Sequence, residues 1–205
     1  MYRIVFPLLR LVMTPFYRIE HHGVENIPAS GALIMAGNHT QNSDPFMIAF
    51  ALPVSRPIAF MAKAEMFVNP IASWAIRSVH QFPVNRGAPD RGAIRHALGI
   101  LKQGGVLGIF PQGTRSEPGE VTEAHAGVAF FALQGQAPVV SVGISRIRVP
   151  GVIRHQKVTV VYGDTIDPAD FAELPKKERS AAMTERIVAG INEALAEADR
   201  IGASR

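Results

Sequence analysis

The chain has 205 residues, 47% of them hydrophobic, which is enough for one domain with a sizeable core and excludes a disordered chain. It contains no cysteine, so a thiol nucleophile, thiolate metal ligands and a disulfide framework are excluded, and a reducing compartment fits. A net charge of +4 suits an anionic lipid or a phosphorylated substrate, while the lack of any long basic block interleaved with aromatics argues against a nucleic-acid partner.

Residues 1–16 are apolar, with Arg3 and Arg10 inside the stretch and Arg18 just beyond it. Pro7, Arg10 and Pro15 cut its apolar runs far below the ~20 residues that cross a bilayer. Its short apolar core with no small-residue cleavage site argues against a signal peptide. Large apolar side chains with intermittent arginine fit an amphipathic helix lying in a membrane interface, and a helix packed on the domain with arginines at its rim is the other reading. The expected division is therefore an interfacial segment over 1–16 and one domain over 17–205.

Tyr17 to Val24 is expected as a first strand, followed by a turn at Asn26-Ile27-Pro28-Ala29-Ser30-Gly31. Ala32 to Ala36 is short, apolar and bounded like a buried strand, and Pro45 to Phe50 opens with the residue best suited to a first helical position. Between them stands Gly37-Asn38-His39-Thr40-Gln41-Asn42-Ser43-Asp44, at a strand end where α/β proteins usually hold their sites. On a regular helix His39 and Asp44 would lie about 140° apart, so they meet only if the chain turns back, which Asn, Ser and Thr allow. If they meet, the carboxylate fixes the imidazole tautomer and leaves the other nitrogen as a general base. The alternative is plain: Asp44 caps the following helix and His39 is a satisfied rim histidine.

Pro57 to Ala62 is expected as a strand ending at Lys63, and Pro70 to Val79 as a helix whose Ile71 and Trp74 side faces the core. Gln81 to Gly87 reads as a short strand running into a turn, which places Arg86 at another strand end. Asp90 to Gln103 carries Ile94, Ala97, Leu98 and Leu101 at helical spacing, with Arg91 and Arg95 off the stripe and Gly104-Gly105 closing the helix. Val106 to Phe110 is a fully apolar strand running into Pro111-Gln112-Gly113-Thr114-Arg115-Ser116. Backbone N–H groups and a guanidinium in such a loop suit a phosphate or an oxyanion, and an ordinary polar turn is the other reading. Val128 to Leu133 reads as a helix, Pro138 to Ile144 and Val158 to Tyr162 as strands. Leu174 to Ala198 is a long helix with Met183, Ile187, Ile191 and Leu195 as its core stripe. Alternating strands and helices give one α/β domain with a mixed, mostly parallel sheet.

No Gly-x-Ser-x-Gly elbow, His-Glu-x-x-His zinc site or NTPase phosphate loop is present. The stretch from Asn38 to Asp44 resembles the His-x4-Asp motif of the glycerolipid acyltransferases. Phe82-Pro83-Val84-Asn85-Arg86-Gly87 resembles that family's second motif, Phe110 to Ser116 its third, and Ala137 to Val142 its proline-led fourth. Taken in order over roughly Gly23 to Gly163, the chain is similar to the 1-acyl-sn-glycerol-3-phosphate (lysophosphatidate) acyltransferases.

The resemblance implies transfer of a fatty acyl group from coenzyme A or acyl carrier protein to the sn-2 hydroxyl of lysophosphatidate. It implies His39 as base and Asp44 as its orienting partner, with Arg86, Arg115 and, less strongly, Lys63 on the acceptor phosphate. Gln112, Gly113 and Thr114 complete the acceptor loop, with amides near Gly113 available to an oxyanion. No metal and no cofactor beyond the acyl donor is implied, and the place is peripheral, on the cytoplasmic face of a membrane. Alternatives are the same chemistry on another lysophospholipid or glycolipid, and a module that binds lipid or acyl carrier without turnover. Two departures bear on the acceptor: the third motif usually carries glutamate where this chain has Gln112, and His125 stands where relatives often carry lysine.

Overall fold

The computed structural model describes residues 1–85, 90–115, 117–122, 125–148 and 156–204. Its seven strands are β1 (Tyr17–His22), β2 (Leu33–Gly37), β3 (Ile58–Lys63), β4 (Gln81–Val84), β5 (Val106–Ile109), β6 (Val139–Arg148) and β7 (Gln156–Ile166). Six α-helices accompany them among the described residues: α1 (Tyr2–Met13), α2 (Asp44–Ala49), α3 (Pro70–Ser78), α4 (Arg91–Lys102), α5 (Gly127–Gly135) and α6 (Lys176–Ala203).

One sheet holds all seven strands in the order β1-β7-β6-β2-β5-β3-β4. Every pairing is parallel except β6 with β7, so β1 and β7 run opposite to the other five. The central strand β2 is buried throughout, which is why its sequence is a continuous apolar run rather than an alternation. Its residues still divide by the pleat. Ile34 and Ala36 join the core formed with α4, α5 and α6 through Ala97, Phe131, Met183, Ile187 and Ile191. Leu33 and Met35 join the opposite core, which α1 and α2 close with Phe6, Met13, Met47 and Ile48.

The elements largely stand where the sequence puts them, and the differences have local causes. β6 and β7 run further than the apolar stretches suggest, because they pair as one long antiparallel ladder from Val139↔Ile166 to Arg148↔Gln156. Asp90, expected only as the start of the helical stretch, caps α4, its carboxylate accepting the Gly92 and Ala93 amides at 3.0 Å each. Asp44 does not cap α2; the cap position belongs to Ser43. The core assignment of Ile71 and Trp74 is overturned: they are 78% and 56% exposed, and Ser78 is the buried residue of α3. Periodicity showed that α3 has an apolar side, but the neighbours present decide whether that side meets protein.

Candidate active site

The sheet order brings the C-terminal ends of β2, β5, β3 and β4 to one edge, because these four strands are parallel. His39 follows β2, the Gln112 to Arg115 loop follows β5, and Lys63 ends β3. Arg86, expected just beyond β4, lies outside the described residues.

The turn after β2 is built around buried polar groups. Asn38 is pinned to β6, its Nδ2 donating to the Ile144 carbonyl at 3.0 Å and its Oδ1 accepting the Ile144 amide at 2.8 Å. The chain then folds back over Asp44, whose Oδ2 accepts the Thr40 and Gln41 amides at 2.7 Å each. The same oxygen lies 3.0 Å from His39 Nδ1. Asp44 therefore does bind backbone N–H groups, but those of the turn before it, and this closure brings together two residues that a helix would separate.

Asp44 is fully buried, and the His39 side chain is 13% exposed. Burial pushes the Asp44 carboxyl up, but hydrogen bonds from His39 and Gln41 and the adjacent Arg146 guanidinium outweigh it and hold the group below its ordinary value. An ionised carboxylate is acceptor-only, so Nδ1 carries the proton and Nε2 is the basic nitrogen of His39. The ring lies flat on Phe110, with centroids 4.1 Å apart and planes 15° apart, and Phe60 stacks behind Phe110 at 5.5 Å. Gly108 permits that stack: a Cβ there would stand 2.1 Å from the Phe60 ring.

Sequence reasoning passed over Arg146. Its guanidinium donates to Asp44 Oδ1 and, at 3.1 Å, to the Ser43 hydroxyl. It is 10% exposed and stands 5.8 Å from the Tyr17 ring centroid. Nothing local signals this role, since an arginine near a strand end reads as solvated. Only the β6–β2 pairing, with Gly37 beside Val142, carries it to the turn.

Gln112 Oε1 accepts the His39 amide at 3.0 Å, so the unusual amide of the third motif is committed to the base's own backbone. The His125 ring instead lies over Gly113, where a Cβ would be 3.0 Å from it, and the His125 amide donates to the Pro111 carbonyl at 2.9 Å. Gly113 has φ +69, a conformation glycine adopts without a Cβ penalty, and its N–H closes the turn onto the Phe110 carbonyl at 3.0 Å. That amide is thus taken within the turn, and the Thr114 and Arg115 amides follow it along the loop. Thr114, Arg115 and Lys63 are exposed at this edge.

A cavity of about 440 Å³ opens beside the turn, lined by Met13, Tyr17, Gln41, Asn42, Ser43 and Phe46. A larger one of about 730 Å³ runs along β4 and α4 past Gln81, Phe82, Asn85 and His96, and no residue of the His39 turn lines it. Among the described residues, no group of three or more His, Asp or Glu could hold a metal ion. The site offers a half-buried, oriented imidazole on the sheet edge that also carries the exposed Lys63 and Arg115, an arrangement able to deprotonate a hydroxyl on an anionic molecule.

The family model described as Acyltransferase matches residues 18–145, which begin just past α1. The chain is 30% identical over 205 residues to 1-acyl-sn-glycerol-3-phosphate acyltransferase of Bacillus subtilis, covering 98% of this chain and 100% of that one. It is 31% identical over 157 residues to the like-named protein of Streptococcus pneumoniae, covering 76% of this chain and 58% of that one. The crystal structure of the 1-acyl-sn-glycerophosphate acyltransferase of Thermotoga maritima shares the fold at a TM-score of 0.69 and 24% identity, over 94% of this chain and 79% of that one. On the family match and the full-length Bacillus subtilis relative, the chain belongs to the acyltransferase family.

Proposed function

We propose that the protein is a 1-acyl-sn-glycerol-3-phosphate O-acyltransferase, which moves a fatty acyl group from a thioester to the sn-2 hydroxyl of lysophosphatidate. The observation that carries the reading is the His39–Asp44 pair, closed at 3.0 Å at the same sheet edge as the exposed Arg115 and Lys63. The donor is acyl-coenzyme A or acyl-acyl carrier protein, and the products are phosphatidate and the free thiol.

His39 Nε2 takes the proton of the acceptor hydroxyl while Asp44 holds the ring and balances the imidazolium that forms. The acceptor oxygen attacks the thioester carbonyl carbon directly, giving a tetrahedral oxyanion. The amides of Thr114 and Arg115 are the candidates to hold that oxyanion. Collapse breaks the C–S bond, and the departing sulfur takes the proton back from His39. No acyl-enzyme forms on this route. Arg115, Lys63 and Arg86 are assigned to the acceptor phosphate, and Gln112 fixes the His39 backbone.

The acceptor reaches the site from a lipid surface. Helix α1 buries Tyr2, Phe6 and Met13 against the domain and leaves Ile4, Leu8, Leu11 and Val12 exposed. The exposed row supports a helix that packs on the domain and also lies in the membrane interface. No helix among the described residues is long and apolar enough to cross a membrane.

The test is thiol release from palmitoyl-coenzyme A by purified protein, with and without lysophosphatidate, with His39→Ala as control. Release requiring both lysophosphatidate and His39 is expected. Release without lysophosphatidate, or undiminished in His39→Ala, would overturn the reading. Release restored only by another lysolipid would move the assignment to that acceptor, the reading that the Gln112 departure favours.

A further inference from the structure

The 3-10 turn Ala64–Phe67, helix α3 and the residues between them carry apolar side chains outward, uncovered by any described residue: Met66, Val68, Ile71 and Trp74 are all exposed. This is the reverse of a helix on a water-soluble domain, which turns its apolar side inward. The exposure belongs to a well-formed element. Asn69 caps α3, its side chain accepting the Ile71 amide at 2.9 Å and the Ala72 amide at 3.1 Å, and Pro70 opens the first turn.

Three further observations say what covers this side. First, the C-terminal end of α3 adjoins the start of α1: the Ser78 hydroxyl lies 3.4 Å from Met1 Sδ, and just past the helix the His80 ring meets the Tyr2 ring edge-on at 4.8 Å. Second, its charge suits an anionic surface. From Lys63 to Arg77 the sole acid is Glu65, and residues 1–19 carry three arginines and no Asp or Glu. Arg77 folds over the Phe67 ring at 5.0 Å, a cation held beside the apolar side chains. Third, the element starts where β3 ends at Lys63, on the sheet edge that carries His39. Tryptophan and large aliphatic side chains bordered by basic residues are the composition of a segment seated at a bilayer interface.

We infer that residues 64–77 form a second membrane-inserting element, which seats beside α1 in an anionic bilayer and sets the active-site edge at the lipid surface. The inference rests on the lipid-acceptor reading above and deepens it. One anchor leaves a protein free to pivot on the membrane; two adjoining anchors fix its orientation.

Trp74 is the chain's sole tryptophan and so a specific probe. The experiment mixes the full chain with vesicles of phosphatidylcholine and phosphatidylglycerol and follows Trp emission, quenching by bromine-labelled acyl chains, and co-sedimentation. Expected are a blue shift and acyl-chain quenching in step with sedimentation, and vesicle binding weakened about tenfold or more by Ile71→Asp. Transfer to lysophosphatidate dispersed in detergent should be unchanged in Ile71→Asp. Sedimented protein with unshifted, unquenched Trp74 would overturn the inference, as would no vesicle binding. A blue shift that appears instead with acyl carrier protein alone, or with rising protein concentration in the absence of lipid, would equally overturn it by assigning the side to a protein partner. Failure of all transfer with Trp74 still inserting would remove the proposed function and leave the insertion standing.

Discussion

Arg146 and Asp44 are 102 residues apart in sequence, yet the guanidinium is hydrogen-bonded to Oδ1 of a carboxylate whose Oδ2 takes the His39 ring. The carboxylate is therefore gripped from both sides and cannot rotate without breaking a buried charge pair. Two other guanidinium nitrogens of Arg146, Nε and Nη1, are buried with no partner among the described residues, so its desolvation is repaid chiefly through Asp44 and Ser43.

Arg146→Met should therefore lower kcat while leaving both KM values near wild type, because Arg146 acts through Asp44 and not on substrate. Loss of a charged hydrogen bond costs on the order of 1.5–3 kcal/mol, which lowers the melting temperature by several degrees in a chain of this size. The pH dependence has a definite sign. A depressed carboxyl stabilises the fold fully above its ordinary value and loses that contribution as pH falls through its folded value. Removing Arg146 raises the Asp44 pKa, so acid loss of stability and activity should begin at higher pH than in wild type. Arg146→Lys should restore part of both. Equal kcat with a raised acceptor KM would instead make Arg146 a substrate contact.

Arg115 is exposed at the active-site edge. Arg115→Ala should raise the acceptor KM by roughly 10- to 100-fold, the worth of a charge-assisted hydrogen bond, and leave the donor KM and thermal stability alone. Initial-rate kinetics with each substrate varied in turn check this. Equal effects on both KM values would count against a phosphate role.

Gly108 is the space into which the Phe60 ring packs. Gly108→Ala should cost about 1–3 kcal/mol through overpacking, and should disturb His39 because Phe60 stacks on Phe110 and Phe110 on His39. Urea unfolding and kcat should both report the change. A further Phe60→Leu exchange should recover stability by making room. Lost stability with kcat intact would show that the stack is structural only.

His21 is held neutral inside the fold. Burial, the Arg10 charge and His22 lower its pKa from 6.5 to about 4, and its Nδ1 lies 3.1 Å from the Tyr162 hydroxyl. The folded pKa lies below the unfolded one, so between about 4 and 6.5 the unfolded chain binds the extra proton and stability rises with pH. From neutral pH to pH 4 this group should withdraw about 2 kcal/mol after allowance for solvent screening. His21→Gln should flatten that part of the curve of urea midpoint against pH. An unchanged slope would refute the assignment.

The sequence by itself determined most of the strands and helices, the order of the four motifs and a polar turn in which His39 and Asp44 could meet, while the folded turn decided that they do. The first three are written in neighbouring residues: apolar runs, prolines at helix starts, a glycine past α4, and a polar turn with its carboxylate five residues from its histidine. Tertiary structure decided what distant segments bring to the same place. Arg146 became the support of Asp44 through the pairing of β6 with β2, and Phe60 came behind Phe110 because β3 and β5 are neighbours with a glycine between them. Gln112 found the His39 amide because two strand ends share an edge. The outward side of α3 was beyond local reading for a further reason. An apolar stripe specifies that a helix must meet something apolar, and only the packed chain reveals that no described residue covers it there.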